Sequence, residues 1–267
     1  MNSIILGEEF RDVMRVVCNT MDTEYRLKCE AILAFYQDAI ASYLSGRHLA
    51  AFDLKKKGKV WIITECSYRL KGALPVWRDE VGVTVSPTEA SALKMYFDFA
   101  LTDTEGNVFA EGSSCWGVID LETGRPTELE SLMTIEGTNT ASHGREPLAA
   151  VKEAAGTLVH KVCPNDLDFN YHVNNIGYVA DALAARPLNT LRGTVIEGIR
   201  VKYLRQVFPG ESLRFLYDTA LPDAGRMLCT VENGDSPARE VCRMEIDFRK
   251  DTPADMAIRC RRSPEKP

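Results

Sequence analysis

Apolar residues recur along the chain first at helical and then at strand spacing, and the same order returns in the second half. Between residues 25 and 46, Leu27, Ile32, Leu33, Phe35, Ile40 and Leu44 fall at helical intervals and predict an amphipathic helix. Alternating runs follow at 60–70, 80–86, 94–102 and 108–121, and the turn residues at 102–107 (TDTEGN) predict a hairpin between the last two. Beyond a stretch rich in Thr, Ser, Gly and charge at 134–147, a shorter helix is predicted over 174–185. Strands are predicted near 194–207, 212–219, 225–232 and 239–249. One helix and a run of antiparallel strands, twice, predict an α+β chain with a sheet wrapped around a helix in each half. One anchor links the halves: Leu70 to Pro75 and Leu204 to Pro209 share their spacing 134 positions apart, half of the 267 residues, and each precedes an alternating strand.

Composition narrows the class. With 45% hydrophobic and 26% charged residues, the proportions are those of soluble globular proteins. No apolar run approaches the roughly 20 residues that span a bilayer, and Glu8 and Glu9 interrupt any signal-peptide core, so a cytoplasmic chain with no membrane partner is expected. The eight cysteines are scattered without a C-x-x-C pair, so neither a disulfide framework nor a zinc site is signalled, and no metal or cofactor is expected. Residues 1–133 carry 14 basic and 20 acidic side chains and the remainder 18 of each, which gives no footprint for nucleic acid.

The P-loop, the dinucleotide glycine fingerprint, H-E-x-x-H and G-x-S-x-G are all missing from the sequence. Of the four histidines, His48 ends a helix, His143 lies in the polar stretch and His160 in a strand-like run, and each reads as structural. His172 lies in the run from Asp166 to Asn175 (DLDFNYHVNN), where carboxylate, amide and imidazole alternate. If this lead-in is extended, Asp168, Asn170 and His172 project to one side, and Phe169 and Tyr171 to the other. The helix N-terminus that follows offers backbone N–H groups for a developing oxyanion. Asp and Asn also favour caps and turns before any helix, and residue types alone leave both readings open.

The pattern D-x-N-x-H-V-N-N-x-x-Y, formed by Asp168, Asn170, His172, Val173, Asn174, Asn175 and Tyr178, resembles the active-site motif of the acyl-acyl carrier protein thioesterases. The resemblance extends to Gln37-Asp38, Trp61-Ile62-Ile63, Pro75-x-Trp77, Ser114-x-Trp116-x-x-x-Asp120 and Gly124-Arg125-Pro126 in the first half. It implies a double hotdog: residues 1–133 form a non-catalytic copy that holds the acyl tail, 134–150 a linker, and 151–267 the catalytic domain. It implies hydrolysis of a fatty acyl thioester carried on the phosphopantetheine arm of acyl carrier protein. Asp168 would act as general base or nucleophile, Asn170 would place the carbonyl or water, and His172 would shuttle the proton. Val173 and Asn174 at the helix start would bind the thioester oxygen, with Asn175, Tyr178 and Gln206 in support.

One departure stands out. The family's Tyr-x-x-Glu on the strand after the second helix reads here as Tyr203 and Gln206, followed by Val207, so neither a Glu base nor a Cys nucleophile exists there. An acyl-CoA thioesterase and a non-catalytic acyl-binding protein are the alternative readings. The first half's helix lead-in, Cys18 to Tyr25, has no histidine, so one site per chain is expected. Arg186, Arg192, Arg200, Lys202, Arg205 and Arg214 form the expected docking surface for the acidic carrier, with Lys55, Lys56, Lys57 and Lys59 as a rival. Sheet edges leave a homodimer open.

Overall fold

The first predicted helix forms over Cys29–Ser45 (α1). Ile32, Leu33, Tyr36, Ala39, Ile40 and Tyr43 are sealed on its wide apolar face, while Asp38, Ala41, Ser42 and Ser45 stay exposed. A computed structural model describes residues 2–143, 147–185, 193–219, 225–234, 237–253 and 255. The chain divides into one unit of residues 1–15, 32–72 and 79–146, and a second of 16–31, 73–78 and 147–267.

In the first unit, the strands are Ser3–Ile5 (β1), Phe10–Arg15 (β2), Lys59–Leu70 (β3), Glu80–Ala90 (β4), Met95–Thr102 (β5), Val108–Asp120 (β6), Pro126–Thr127 (β7) and Thr134–Glu136 (β8). The short helix Ala51–Lys55 (α2) precedes β3. β2, β4, β5, β6 and β3 pair in that order, all antiparallel, and β7 adds to β6. The period-two pattern decides which face meets α1: Met95, Phe97, Phe99 and Leu101 of β5 all point inward. The Tyr36 ring stacks on Phe99 at 4.1 Å, and Tyr43 meets Phe97 and Phe10 edge-on at 6.0 and 6.1 Å. Gly112 is required where β6 passes Phe99, because a Cβ there would meet the Ser67 carbonyl oxygen and lie 2.5 Å from the Phe99 ring.

The second unit contains Gly156–Lys161 (β9), Asn175–Ala184 (α3), Thr194–Tyr203 (β10), Ser212–Tyr217 (β11), Gly225–Asn233 (β12) and Glu240–Lys250 (β13). Its antiparallel sheet runs β10, β13, β12, β11, β9. Two sheet tyrosines hold the ends of α3: Tyr203 Oη donates to the Asn175 carbonyl (2.9 Å) and Tyr217 Oη to the Ala182 carbonyl (3.0 Å).

Three expectations change. The first helix starts at Cys29 rather than near 25, because Tyr25 takes a positive φ of 64° and residues 25–28 belong to a turn. The strand predicted over 194–207 ends at Tyr203, and the chain leaves the sheet before Val207. The expected linker begins with a strand, since β8 pairs parallel with β1 through Ile4 and Ile135. β1, β2 and α2 were not predicted; β9 matches the strand-like run around His160. No helix among the described residues is long and apolar enough to cross a membrane.

Candidate active site

The lead-in to α3 is a tight turn and not an extended strand. A 3-10 turn at Pro164–Asp166 is followed by an antiparallel bridge between Leu167 and Val173. Inside it the Asp168 N–H donates to the His172 carbonyl (3.0 Å) and the Tyr171 N–H to the Asp168 carbonyl (3.0 Å). Asp168 Oδ1 accepts the Asn170 N–H at 2.7 Å, an Asx turn, and Tyr171 adopts φ 62°. Asp168 and His172 therefore meet because they stand opposite each other across the turn, and Asn170 sits at its tip. The expected one-sided alternation of 168, 170 and 172 is corrected accordingly.

Asp168 Oδ2 lies 3.6 Å from His172 Nδ1, and the side chains are only 17% and 16% exposed. Phe169 and Tyr171 project outward, 60% and 73% exposed. Nδ1 also lies 3.2 Å from the Val173 carbonyl oxygen. A carbonyl can only accept, so Nδ1 is the donor in this contact, and in the neutral imidazole the lone pair then lies on Nε2. Nε2 is buried and has no hydrogen-bond partner among the described residues.

The helix start corrects a second expectation. Asn174 is the N-cap, its Oδ1 accepting the Ile176 N–H at 2.9 Å. The Val173 N–H is already given to the Val207 carbonyl (2.9 Å) and the Asn174 N–H to the Asp166 carbonyl (2.7 Å), so neither backbone donor is free for an oxyanion. Val207 thus holds the turn through its carbonyl, while Gln206 beside it is an exposed loop residue. Asn175 Nδ2 and the buried Tyr178 hydroxyl have no hydrogen-bond partner among the described residues. Burial pushes the Tyr178 phenol well above its ordinary value. Its ring meets that of Tyr203 edge-on at 5.9 Å.

The same turn exists a second time, 146 residues earlier. Met21 bridges Leu27, the Asp22 N–H donates to the Arg26 carbonyl (2.7 Å), and Asp22 Oδ1 accepts the Glu24 N–H (2.8 Å). The Leu27 N–H donates to the Pro75 carbonyl (2.8 Å) and the Lys28 N–H to the Thr20 carbonyl (3.0 Å), matching Val173 to Val207 and Asn174 to Asp166. Tyr25 repeats the left-handed backbone of Tyr171. At the place of His172 stands Arg26, only 2% exposed. Its guanidinium bonds Asp22 (2.9 Å), Asp251 (2.8 Å) and the Thr194 carbonyl (3.2 Å). Burial opposes its charge and the two carboxylates outweigh burial, so its pKa is raised further. The D-x-x-Y-x-apolar spacing shared by Asp22, Tyr25, Leu27 and Asp168, Tyr171, Val173 is the signal that sequence reading passed over.

His160 does more than stand in a strand. Its Nε2 lies 2.7 Å from Asp166 Oδ2 and 3.8 Å from Asp181. Partial burial works against its charged form, but the hydrogen bond to Asp166 and the charge of Asp181 prevail and raise its pKa above 6.5. His160, Cys163 and Asp166 bring one potential metal-ligand atom each within 4.8 Å of one another. Asp166 Oδ2 is, however, engaged by His160 and by the Cys163 N–H (2.6 Å), and Thr20 Oγ1 plays the same part for the Val17 N–H (2.9 Å) in the earlier turn. The arrangement is a cap that holds the Asp166 carbonyl under Asn174. His143 stacks on Tyr96 at 4.8 Å and sits 3.1 Å from Thr88 Oγ1, a structural role.

Of the expected docking residues, Arg186 and Arg192 lie outside the described residues. Arg214 pairs with Glu232, Arg200 lies 3.4 Å from Glu245, and Arg205 is exposed. In the rival patch Lys59 pairs with Asp120 at 2.8 Å.

Comparison with known proteins bears on the family and the fold. The family model described as the acyl-ACP thioesterase N-terminal domain matches residues 7–134, and the C-terminal domain model matches 150–261. An acyl-(acyl-carrier-protein) hydrolase FATB1, chloroplastic, of Cuphea viscosissima is 23% identical over 162 residues, 57% of this chain and 38% of that protein. A chloroplastic palmitoyl-acyl carrier protein thioesterase of Arabidopsis thaliana is 22% identical over 204 residues, 72% of this chain and 48% of that protein. The chain thus spans less than half the length of these curated relatives. Two solved structures share the double-hotdog fold. An acyl-ACP thioesterase from Bacteroides thetaiotaomicron has TM-score 0.74 and 20% identity, covering 90% of this chain and 98% of that one. The 12:0-ACP thioesterase from Umbellularia californica has TM-score 0.75 and 18% identity, covering 91% and 98%.

Proposed function

The chain belongs to the acyl-ACP thioesterase family, and from that premise we propose that it hydrolyses the thioester between a fatty acyl group and the phosphopantetheine arm of acyl carrier protein. The observation that carries this reading is the half-buried Asp168–His172 pair at the start of α3, with the buried His172 Nε2 facing no partner among the described residues. Nε2 takes a proton from water as the water oxygen attacks the carbonyl carbon, and the Asp168 carboxylate steadies the imidazolium that forms. Collapse of the tetrahedral intermediate breaks the C–S bond, and the imidazolium returns its proton to the thiolate. The water route suits Asp168 better than direct attack by the carboxylate. Oδ1 is held by the Asn170 N–H and Oδ2 faces the imidazole, so both oxygens have work beside the reaction.

The first turn is read as a non-catalytic copy, because an arginine cannot give up its proton at working pH. Residues 1–133 are proposed to hold the acyl tail and 151–267 to carry out the chemistry. A cytoplasmic location, expected from the sequence, remains part of the proposal. The test is thiol release from an acyl carrier protein panel of increasing chain length, compared with the matching acyl-CoA esters. The expected result is steady turnover with kcat/KM higher on the carrier protein. Preference for CoA would reassign the substrate, and no release from either would leave an acyl-binding protein.

A further inference from the structure

Buried polar atoms almost always have partners, so an orphaned one in a native fold asks for a reason. Three occur within seven residues of the second turn: His172 Nε2, Asn175 Nδ2 and the Tyr178 hydroxyl. Their spacing puts Asn175 and Tyr178 one turn apart on one face of α3. A helical side chain leans toward the N-terminus, so Tyr178 covers the first turn where Asn175 begins the helix. Tyr203 fixes both, bonding the Asn175 carbonyl and packing on the Tyr178 ring.

The earlier turn is an internal control. Its counterparts of His172, Asn175 and Tyr178 are Arg26, Cys29 and Ile32. Arg26 is saturated by two carboxylates and a carbonyl, Cys29 Sγ lies 3.1 Å from Glu30, and Ile32 is buried without a polar atom. The fold therefore does not need unpartnered polar groups at these positions. At these three positions they appear only in the copy with the histidine.

We propose that the side chains of Asn175 and Tyr178 supply the hydrogen-bond donors for the oxyanion of the tetrahedral intermediate, in place of the Val173 and Asn174 backbone. This rests on the thioester hydrolysis proposed above. As water attacks, the carbonyl π pair moves onto oxygen, and that oxygen receives the Asn175 N–H and the Tyr178 O–H. The pair returns to re-form the C=O as the C–S bond breaks, and neither side chain gives up its proton. Donors waiting in a buried site need no reorganisation when the charge develops.

The test uses Asn175→Ala, Asn175→Asp and Tyr178→Phe in the full chain. Tyr178→Phe removes a hydroxyl that has no partner and is not expected to lower Tm, whereas aspartate keeps the amide's shape but sets a carboxylate oxygen where the buried Nδ2 stands, so kcat of the Asn175 variants is read per folded molecule. Each variant is expected to lose about 10²-fold in kcat with KM within about threefold of wild type. Binding of an acyl trifluoromethyl ketone, whose hydrate mimics the intermediate, should weaken about as much, while binding of the matching thioether is unchanged. A kcat within threefold of wild type in Tyr178→Phe or in both Asn175 variants, or equal weakening of ketone and thioether, overturns the assignment. If wild type itself releases no thiol, the functional reading fails and this assignment falls with it; active wild type with unaffected variants refutes the assignment alone.

Discussion

Arg26→Met replaces a buried guanidinium by an apolar side chain of similar length. Its consequences can be worked from the contacts. The wild-type group sits between Asp22, whose side chain is 27% exposed, and Asp251, 6% exposed, and also donates to the Thr194 carbonyl. Removing it sets two carboxylates near one another with no cation between them and leaves a buried carbonyl without that donor. Breaking a buried ion pair by deleting one partner costs about 3–5 kcal/mol. At about 2–4 °C per kcal/mol in a chain of this size, Tm should fall by roughly 6–20 °C. Asp251→Asn added to Arg26→Met should restore a large part of the loss, because replacing both partners is far milder than removing one. The assay is urea denaturation followed by far-UV circular dichroism, with thiol release measured on the folded fraction. kcat per folded molecule should be unchanged, since Arg26 belongs to the turn without a base. A loss under about 1 kcal/mol, or no recovery in the double variant, would refute the claim that this turn is a charge-locked structural copy.

Three further outcomes follow from the same contacts. Gly112→Ala drives a methyl group into the Ser67 carbonyl and the Phe99 ring and should cost about 1–3 kcal/mol, read as a lower urea midpoint. The folded-state pKa of His160 is raised above 6.5 by Asp166 and Asp181, so its contribution is complete at low pH and is lost as pH rises through that raised value. Between about pH 6 and 8 the wild type should therefore lose more Tm than His160→Gln, and parallel curves would contradict the pairing. Gln206→Glu places a charge on an exposed loop residue and should leave Tm within about 1 °C and preserve kcat; a clear loss of both would mean the side chain is structural.

Most elements were legible because their burial follows the period of the apolar residues. β5 alternates without a break, and α3 was expected within one residue at each end. β10 was overextended because Leu204, Val207 and Phe208 continue an apolar pattern, yet Val207 is needed at the turn, where its carbonyl takes the Val173 N–H. That contact is long-range and leaves no local signal. In the site, the residue types were legible but not the geometry. The Asx turn at Asp168 and the left-handed Tyr171 bring 168 and 172 together across a hairpin. The repeat of that turn was hidden by a change of offset. The turn repeats after 146 positions, but the carbonyl that holds it, Pro75 in one copy and Val207 in the other, repeats after 132, so no single shift of the sequence aligns both. The lead-in read as Cys18 to Tyr25 stops one residue before Arg26, the residue that makes the comparison informative.

The central claim is that Asp168 and His172 act as one proton-handling pair on a thioester. It is tested most directly by steady-state thiol release from an acyl carrier protein substrate with wild type, Asp168→Asn, His172→Gln and the double variant. Both single variants should lose at least about 10² in kcat while keeping the wild-type circular dichroism spectrum, and the double variant should lose little more than the worse single, as groups working as a unit do. Either single variant retaining more than about a tenth of wild-type kcat, or losses that multiply in the double variant, would contradict it.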